Sequence, residues 1–294
     1  MTGAAVGESE AGSYRDAYFV NRDGLKIHYR DYPGDSSKPP LLCLPGLTRN
    51  MRDFIEFAEL HSPRFRVILV EFRGRAGSDY DPVPARYNPM TYAGDVVELL
   101  QHLEVPGAIF VGTSLGGLVT MVVAATAPQL IVAAILNDIG PDVDPAGIGR
   151  ILTYVGRDPR FKDWDEAAST ISGNYGSAFD RYTHDDWVKM AKRNCREENG
   201  EIRFDYDMAI AEPFKNAGAT PQPDLWPLFT ALAAKPLLVV RGEKSDLLTA
   251  ETAARMQSAA PQMRLAVVAG VGHAPELNEP EAVAAIDELL GTLG

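Results

Sequence analysis

The sequence predicts an α/β fold, in which an eight-stranded, mostly parallel sheet is flanked by helices. Short β-branched or apolar segments alternate with helical patterns, which is typical of parallel strands joined by crossover helices. One of these segments runs through a glycine-rich turn, Gly112 to Gly117, directly into a helical pattern. From Asp138 to about Trp226 the β-type segments disappear, which indicates a helical insertion between two strands.

The first two predicted strands form an antiparallel hairpin, because the second alternates apolar and polar residues over 25–30 and so has one solvated face. The remaining segments are apolar enough to be buried strands. The eight predicted strands cover residues 17–20, 25–32, 41–44, 66–72, 108–112, 132–137, 236–242 and 264–270. We therefore expect a core formed by residues 1–138 and 227–294, and an all-helical cap, or lid, formed by residues 139–226.

Composition excludes several classes of function. The chain has 294 residues, is 46% hydrophobic and carries a formal net charge of −12, so its surface repels nucleic-acid phosphates and anionic lipids. No apolar run approaches the roughly 20 residues that span a bilayer, and the first residues lack the pattern of a signal peptide. We expect a cytoplasmic protein with no nucleic-acid or membrane partner. The five histidines and two cysteines show no metal-ligand spacing, so we expect neither a metal nor another cofactor.

The turn after the fifth predicted strand has the pattern Gly-x-Ser-x-Gly centred on Ser114. A strand that turns into a helix within two residues strains the central residue, and small neighbours leave room for it. Ser114 would then lie at the N-terminus of a helix, where backbone N–H groups favour negative charge. A dinucleotide-binding turn would instead need Gly-x-Gly-x-x-Gly, usually after the first strand. The pattern therefore indicates a nucleophilic serine.

Further motifs resemble those of the α/β-hydrolase family from about Tyr18 to Leu293. They are LCLPGLTRN (42–50), EFRGRAGSD (71–79), GTSLGG (112–117), VVRGEKSDLL (239–248) and VGHAPELNEP (271–280). Two positions depart from the commonest pattern, since Pro45 stands where His is usual and Glu71 where Asp is usual. The resemblance implies a serine esterase or lactonase that acts on a small-molecule ester or lactone through an acyl-enzyme.

A serine nucleophile needs a general base, and histidine titrates in the appropriate range. His273 lies in the loop GVGHAP after the last predicted strand, downstream of Ser114 as in the family's order of nucleophile, acid and histidine. We predict that His273 is this base. The other four histidines are predicted to be solvated surface residues: His28, His61, His102 and His184.

Two aspartates are candidates for the acid that orients His273. Asp246 follows the seventh predicted strand, at the position usual in the family, and Asp138 follows the sixth. We prefer Asp246, because Asp138 could instead be a turn residue at the hinge of the cap.

The resemblance also implies two backbone N–H donors for an oxyanion hole. One is Leu115, directly after the nucleophile, and the other is Leu47, in the loop after the third predicted strand. Thr48 and Arg49 are alternatives for the second donor, since a backbone donor leaves no side-chain signature.

Three other functions are compatible with this fold. A carbon-carbon bond hydrolase of ring-cleavage products would use a cap arginine to hold a substrate carboxylate. Cofactor-free perhydrolase or haloperoxidase activity is a second, and a noncatalytic ligand-binding relative is a third. The arginines available in the cap are Arg150, Arg157, Arg160 and Arg181.

Overall fold

A computed structural model of the chain describes residues 5–9, 12–175, 178–215 and 223–293. Nine strands of these ranges form the main sheet, in the order β1-β2-β3-β5-β4-β6-β7-β10-β11, and β8 and β9 form a separate hairpin. The strands are β1 (Ala5–Ser9), β2 (Gly12–Val20), β3 (Lys26–Tyr32), β4 (Leu41–Leu44), β5 (Val67–Val70), β6 (Ala108–Thr113), β7 (Ile131–Asn137), β8 (Cys195–Glu198), β9 (Glu201–Phe204), β10 (Leu237–Gly242) and β11 (Arg264–Val268).

The predicted fold class is confirmed. From β5 to β11 the neighbouring strands of the main sheet are parallel, and β1, β2 and β3 add to them in antiparallel register. All eight predicted strands are present. Strand β1 was not expected, and it extends the sheet by pairing with β2 at its edge.

The α-helices of the described residues connect these strands. They are α1 (Ile55–His61), α2 (Pro89–His102), α3 (Leu115–Thr126), α4 (Pro145–Leu152), α5 (Trp164–Tyr175), α6 (His184–Asn194), α7 (Glu212–Lys215), α8 (Trp226–Leu232), α9 (Ala250–Ala259) and α10 (Pro280–Gly291). Helix α2 begins at a strong cap, because the side chain of Asn88 accepts a hydrogen bond from the backbone N–H of Thr91 and Pro89 stands at the first helical position. Helices α2, α3 and α8 pack side by side.

The parallel strands in the middle of the sheet form the core of the protein. Every residue of β4, β5 and β10 is buried, and β6 is buried up to its last residue. Such continuous apolar burial is expected of parallel strands that are covered on both faces. A rigid sheet therefore supports the loops at its carboxyl edge.

Residues 139–226, between β7 and β10, contain helices α4 to α7, and we refer to them as the insertion. The prediction that this segment is all-helical is wrong, because β8 and β9 pair antiparallel within it. Asn199 and Gly200 form the two-residue turn with φ values of 55° and 81°. Asn-Gly is the strongest short signal for such a hairpin, and it is present in the sequence.

No helix of the described residues combines the length and the apolar character needed to cross a membrane.

Candidate active site

Three strand ends bring the candidate catalytic residues together at the carboxyl edge of the sheet. Ser114 directly follows β6, Asp138 directly follows β7, and His273 lies in the loop between β11 and α10. Because β6, β7, β10 and β11 are parallel neighbours, their carboxyl ends meet at one edge.

Ser114 occupies a strained turn between β6 and α3. Its φ of 53° and ψ of −115° place it outside the regions that non-glycine residues commonly adopt. The helix that follows this turn, α3, approaches the sheet so closely that only glycine fits at 116, since a Cβ atom there would lie 2.1 Å from the carbonyl oxygen of Leu44. This geometry puts Ser114 at the N-terminus of α3, as the Gly-x-Ser-x-Gly pattern predicts.

A chain of two hydrogen bonds joins Ser114 to a buried carboxylate through His273. The Ser114 hydroxyl oxygen lies 2.9 Å from Nε2 of His273, and Nδ1 of His273 lies 2.8 Å from Oδ2 of Asp138. An ionised carboxylate only accepts, so Nδ1 carries the proton and Nε2 is free to accept from Ser114. Asp138 is fully buried.

The predicted contact between Asp246 and His273 is not found. The Asp246 carboxylate is held instead by Arg150 of α4, with Nε–Oδ2 and Nη2–Oδ1 distances of 2.5 and 2.8 Å. Burial raises the pKa of Asp246, but the hydrogen bonds and charge of Arg150 outweigh it and leave that pKa below its ordinary value. The side chain at hydrogen-bond distance from His273 is that of Asp138, the alternative that the sequence left open.

The loop after β10 contributes hydrogen-bond donors to Asp138. The backbone N–H of Gly242 donates to Oδ1 over 2.8 Å, and the Ser245 hydroxyl donates to Oδ2 over 2.6 Å. Together with His273, three donors therefore surround the Asp138 carboxylate, which satisfies a charge that would be costly to bury unpaired.

Asn137 joins the three segments of the site, a role that the sequence analysis missed. Its carbonyl oxygen accepts from the backbone N–H of Ser114 over 3.0 Å. Its side-chain amide donates to the carbonyl oxygen of Pro275 over 2.8 Å and to the hydroxyl of Thr113 over 3.0 Å. One residue thus fixes the nucleophile's turn and the loop that carries His273.

Two carbonyl groups of the loop after β4 are fixed around the N–H of Leu47. The Gly46 carbonyl oxygen accepts from the backbone N–H of Arg49, and the Leu47 carbonyl oxygen accepts two hydrogen bonds from Arg75, 3.0 and 2.6 Å long. The Gly46 carbonyl and the Leu47 N–H belong to the same trans peptide and point in opposite directions. Because this carbonyl points toward the Arg49 N–H, the Leu47 N–H points away from Arg49.

Arg75 is completely buried, and its hydrogen bonds within the described residues all end on uncharged oxygen atoms. Besides Leu47, it donates to the carbonyl oxygen of Arg73 and to the hydroxyl of Tyr92, whose ring lies 4.9 Å from its guanidinium carbon. Arg73, by contrast, is bound by three aspartates. No local pattern in the sequence indicates this use of Arg75.

A cavity of about 90 Å³ opens beside Ser114 and His273. The loop after β4, the loop after β11 and the insertion all contribute to its walls. The insertion supplies Ile151, Tyr154, Tyr175, Phe179, Met190 and Arg193. The charged side chains of the lining are Arg49, Asp53, Arg193 and Glu276.

Two tyrosines form a polar pair in the wall that the insertion contributes. The hydroxyls of Tyr154 and Tyr175 lie 3.1 Å apart. Burial, and then the neighbouring Tyr175, raise the pKa of Tyr154 well above its ordinary value, so its hydroxyl remains a neutral donor. Neither Trp164 nor Trp187 reaches the cavity; Trp187 packs against Phe179 instead.

Two of the four histidines predicted to be solvated are buried. His28 lies between Glu71 and Asp16, with Nδ1 2.8 Å from the Glu71 carboxylate. His61 is fully buried, and burial lowers its pKa to about 4. Within the described residues, no three His, Cys, Asp or Glu side chains converge in a way that could hold a metal ion.

Known proteins are similar to this chain in sequence and in fold. The model of the alpha/beta hydrolase family matches residues 41–286. A 3-hydroxybutyrate-oligomer hydrolase from Cupriavidus necator is 34% identical over 271 residues, covering 88% of this chain and 90% of that protein. A 2-(acetamidomethylene)succinate hydrolase from Mesorhizobium japonicum is 27% identical over 252 residues, covering 83% of this chain and 85% of that protein.

A crystal structure of an alpha/beta hydrolase from Novosphingobium aromaticivorans superposes with a TM-score of 0.90 and 49% sequence identity, covering 95% of this chain and 98% of that one. The family match spans more than half of the chain and includes the ends of β6, β7 and β11, where the candidate site lies. The chain therefore belongs to the alpha/beta hydrolase family.

Proposed function

We propose that the protein is a serine hydrolase that cleaves a carboxylic ester through an acyl-enzyme intermediate. The observation that carries this proposal is the chain of hydrogen bonds from Ser114 through His273 to Asp138. In this proposal Ser114 is the nucleophile, His273 the general base, and Asp138 the carboxylate that orients the imidazole.

In the first half of the reaction, the Ser114 hydroxyl oxygen attacks the ester carbonyl carbon while its proton moves to Nε2 of His273. The imidazolium that forms is stabilised by the Asp138 carboxylate, 2.8 Å from Nδ1. The carbonyl oxygen becomes an oxyanion, which the backbone N–H groups of Leu115 and Leu47 would bind. Leu115 is the first residue of α3, so the helix dipole also favours this negative charge.

The tetrahedral intermediate then collapses. His273 returns the proton to the leaving alcohol oxygen, the bond from carbon to that oxygen breaks, and the acyl group remains on Ser114 as an ester. Water next attacks this ester while His273 takes one of its protons; the bond from the acyl carbon to Oγ of Ser114 then breaks, His273 returns the proton to Oγ, and the carboxylic acid leaves. No step requires a metal or another cofactor.

The cavity and one of the relatives support a small ester as substrate. About 90 Å³ is well below the roughly 300 to 1,000 Å³ of pockets that enclose drug-sized ligands, so a short acyl group fits best. The Cupriavidus necator relative is named for oligomers of 3-hydroxybutyrate, which are linear esters of a short hydroxy acid. We propose such oligoesters, with other short esters and lactones as related substrates.

We further propose that residues 139–226 act as a cap over the site, with residues 1–138 and 227–294 as the core. Six side chains from the insertion line the cavity, and Arg150 joins α4 to the loop after β10. Substrate preference would therefore depend on this segment.

Ester hydrolysis is favoured over the alternatives. The four cap arginines considered for a carbon-carbon bond hydrolase do not line the cavity, and Arg193 of the insertion, which does, is already bound to Glu276 and Glu56. A noncatalytic binding protein would have no need for a strained serine joined to a histidine and a buried carboxylate.

The test is a substrate screen of the purified protein. It would compare 4-nitrophenyl esters of graded acyl length, 3-hydroxybutyrate dimer and trimer, γ-butyrolactone and a vinylogous diketone. We expect hydrolysis of the short esters and of the dimer, and a covalent adduct of Ser114 with a fluorophosphonate in intact-protein mass spectra. Cleavage of the diketone alone would instead identify a carbon-carbon bond hydrolase.

A further inference from the structure

Arg49 lies in the wall of the cavity, beside the nucleophile. The absence of a side chain at Gly46 makes room for it: a Cβ atom there would lie 3.2 Å from Cγ of Arg49 and 3.8 Å from Cβ of Ser114. Arg49 and Ser114 are therefore both neighbours of the same glycine, and both line the cavity that a ligand would occupy.

Asp53 fixes the orientation of this guanidinium. Its carboxylate accepts from Nε over 2.7 Å and from Nη2 over 2.5 Å. Although burial disfavours the charged form, Asp53 keeps the pKa of Arg49 above its ordinary value, so the group stays cationic. Arg49 is thus both charged and held rigidly.

One edge of the guanidinium remains open. Arginine has five N–H donors in a planar fork, and the edge formed by Nε and Nη2 is the one that Asp53 occupies. Nη1 of Arg49 makes no hydrogen bond to any of the described residues. The edge formed by Nη1 and Nη2 has the geometry that binds a carboxylate through two parallel hydrogen bonds.

Of the other two arginines near the cavity, one is bound through both terminal nitrogens and the other does not line the cavity. Arg193 donates through Nη1 to Glu276 and through Nη2 to Glu56, each over 2.7 Å. Arg150 pairs with Asp246 through Nε and Nη2, as Arg49 does with Asp53, but it lies outside the lining of the cavity. The four charged side chains of the lining, two positive and two negative, have no net charge, so the wall of the cavity does not repel a carboxylate. The unoccupied edge of Arg49 is available to bind it.

We propose that Arg49 binds a free carboxylate of the substrate, so that the preferred substrates are esters that carry a second, unesterified carboxylate near the scissile bond. This inference rests on the proposed ester hydrolysis and specifies its substrate class. Linear hydroxy-acid oligomers cleaved at the ester nearest their acid end belong to this class.

The experiment uses two substrates that share one scissile ester: the dimer of 3-hydroxybutyrate, with its free carboxylate, and the methyl ester of that dimer. The measured quantity is the ratio of kcat/KM for the acid dimer to kcat/KM for the methyl ester, with release of 3-hydroxybutyrate followed by chromatography. We expect this ratio to exceed one in the wild type. In Arg49→Gln it should fall about 10- to 100-fold, as for loss of a charge-assisted hydrogen bond.

Arg255→Gln is the matched control, since it removes one positive charge from a pair with Asp142 outside the cavity. It should leave the ratio unchanged. The double variant Arg49→Gln/Asp53→Asn removes the pair without leaving a buried carboxylate unpaired, and it should show the same fall as Arg49→Gln. A wild-type ratio near one, or an equal loss on both substrates in the double variant, would overturn the proposal while leaving ester hydrolysis intact.

Competitive inhibition provides a second measurement that needs no variant. Free 3-hydroxybutyrate should inhibit hydrolysis of a neutral 4-nitrophenyl ester by the wild-type protein, and methyl 3-hydroxybutyrate at the same concentration should inhibit it at least about 10-fold less, because it lacks the charge. Equal inhibition by the two compounds would contradict a carboxylate site. Failure to cleave any ester would instead reject the proposed function itself.

Discussion

Arg75 holds the carbonyl oxygen of Leu47 through two hydrogen bonds, 3.0 and 2.6 Å long. A buried cation is thereby used to fix one peptide group of the loop beside Ser114. An oxyanion donor is effective when it is already in place before charge develops, because no reorganisation is then needed during the reaction. Arg75 fixes the peptide that joins Leu47 to Thr48, and through the Cα of Leu47 it limits rotation of the neighbouring peptide that carries the Leu47 N–H, so Arg75 would act on the reaction as a positioning residue.

Replacing Arg75 should lower kcat more than it changes KM. In Arg75→Lys the planar fork is lost and the Leu47 carbonyl keeps at most one donor, so we expect kcat to fall about 10- to 100-fold with KM within about threefold. Steady-state kinetics on a short 4-nitrophenyl ester measure both constants. Tyr92→Phe is the control, since it removes one hydrogen bond of Arg75 without touching Leu47. A variant whose only defect is a lower melting temperature would contradict this role.

Substituting Ser114 should remove activity without unfolding the protein. Ser114→Ala deletes only the hydroxyl oxygen, and we expect ester hydrolysis to fall at least about 10³-fold together with complete loss of fluorophosphonate labelling. Circular dichroism and the melting temperature serve as the check on folding. Ser245→Ala is a matched hydroxyl deletion at a residue that touches Asp138 and not the substrate, and it should still be labelled.

The two candidate acids can be separated by conservative substitutions. Asp138→Asn removes the carboxylate that accepts the Nδ1–H of His273, and Asn tolerates the φ of 57° at this position, so we expect kcat to fall by up to about 10⁴-fold in a folded protein. Asp246→Asn only weakens the pair with Arg150 and should cost about 10-fold or less. If Asp246→Asn proved the more damaging of the two to kcat, the observed hydrogen-bond chain would not be the catalytic one.

His61 should make the stability of the protein depend on pH. Its pKa is about 4 in the fold and about 6.5 when unfolded, so the unfolded chain binds more protons between these values. The free energy of unfolding should therefore decrease as the pH falls below 6.5, by about 2 kcal/mol between pH 7.5 and 5. His61→Leu should reduce this dependence by that amount in urea denaturation. Equal pH dependence in both proteins would show that His61 does not titrate on unfolding.

Most of the fold could be predicted from local patterns. Strands such as β4 and β10 are short, continuous apolar segments, and their alternation with helical patterns determines the class of fold. The strained turn at Ser114 was predictable because Gly112 and Gly116 flank the serine within the local sequence. The hairpin of β8 and β9 was missed because its strands are rich in charge, although Asn199-Gly200 marks the turn.

The choice of acid could not be made from the sequence, because it depends on which side chains meet in space. Asp138 and Asp246 both follow parallel strands, and nothing local distinguishes them. What separates them is Arg150, which is 96 residues away from Asp246 along the chain and binds it. The side-chain roles of Arg49 and Arg75 could not be predicted for the same reason, since they depend on which groups lie around each guanidinium in the fold.

The pair of Arg150 and Asp246 links the behaviour of the site to the salt content of its surroundings. Both side chains are partly exposed, so mobile ions screen their attraction. Arg150 also lies over the ring of Tyr175, 5.2 Å from its centroid, and Tyr175 lines the cavity. We expect KM for longer esters to change between 0.05 and 1 M NaCl, because the screening length falls from more than about 10 Å to about 3 Å over this range, while the rate of fluorophosphonate labelling of Ser114 stays constant. The range of esters that the protein hydrolyses efficiently would then depend on the ionic strength of the solution.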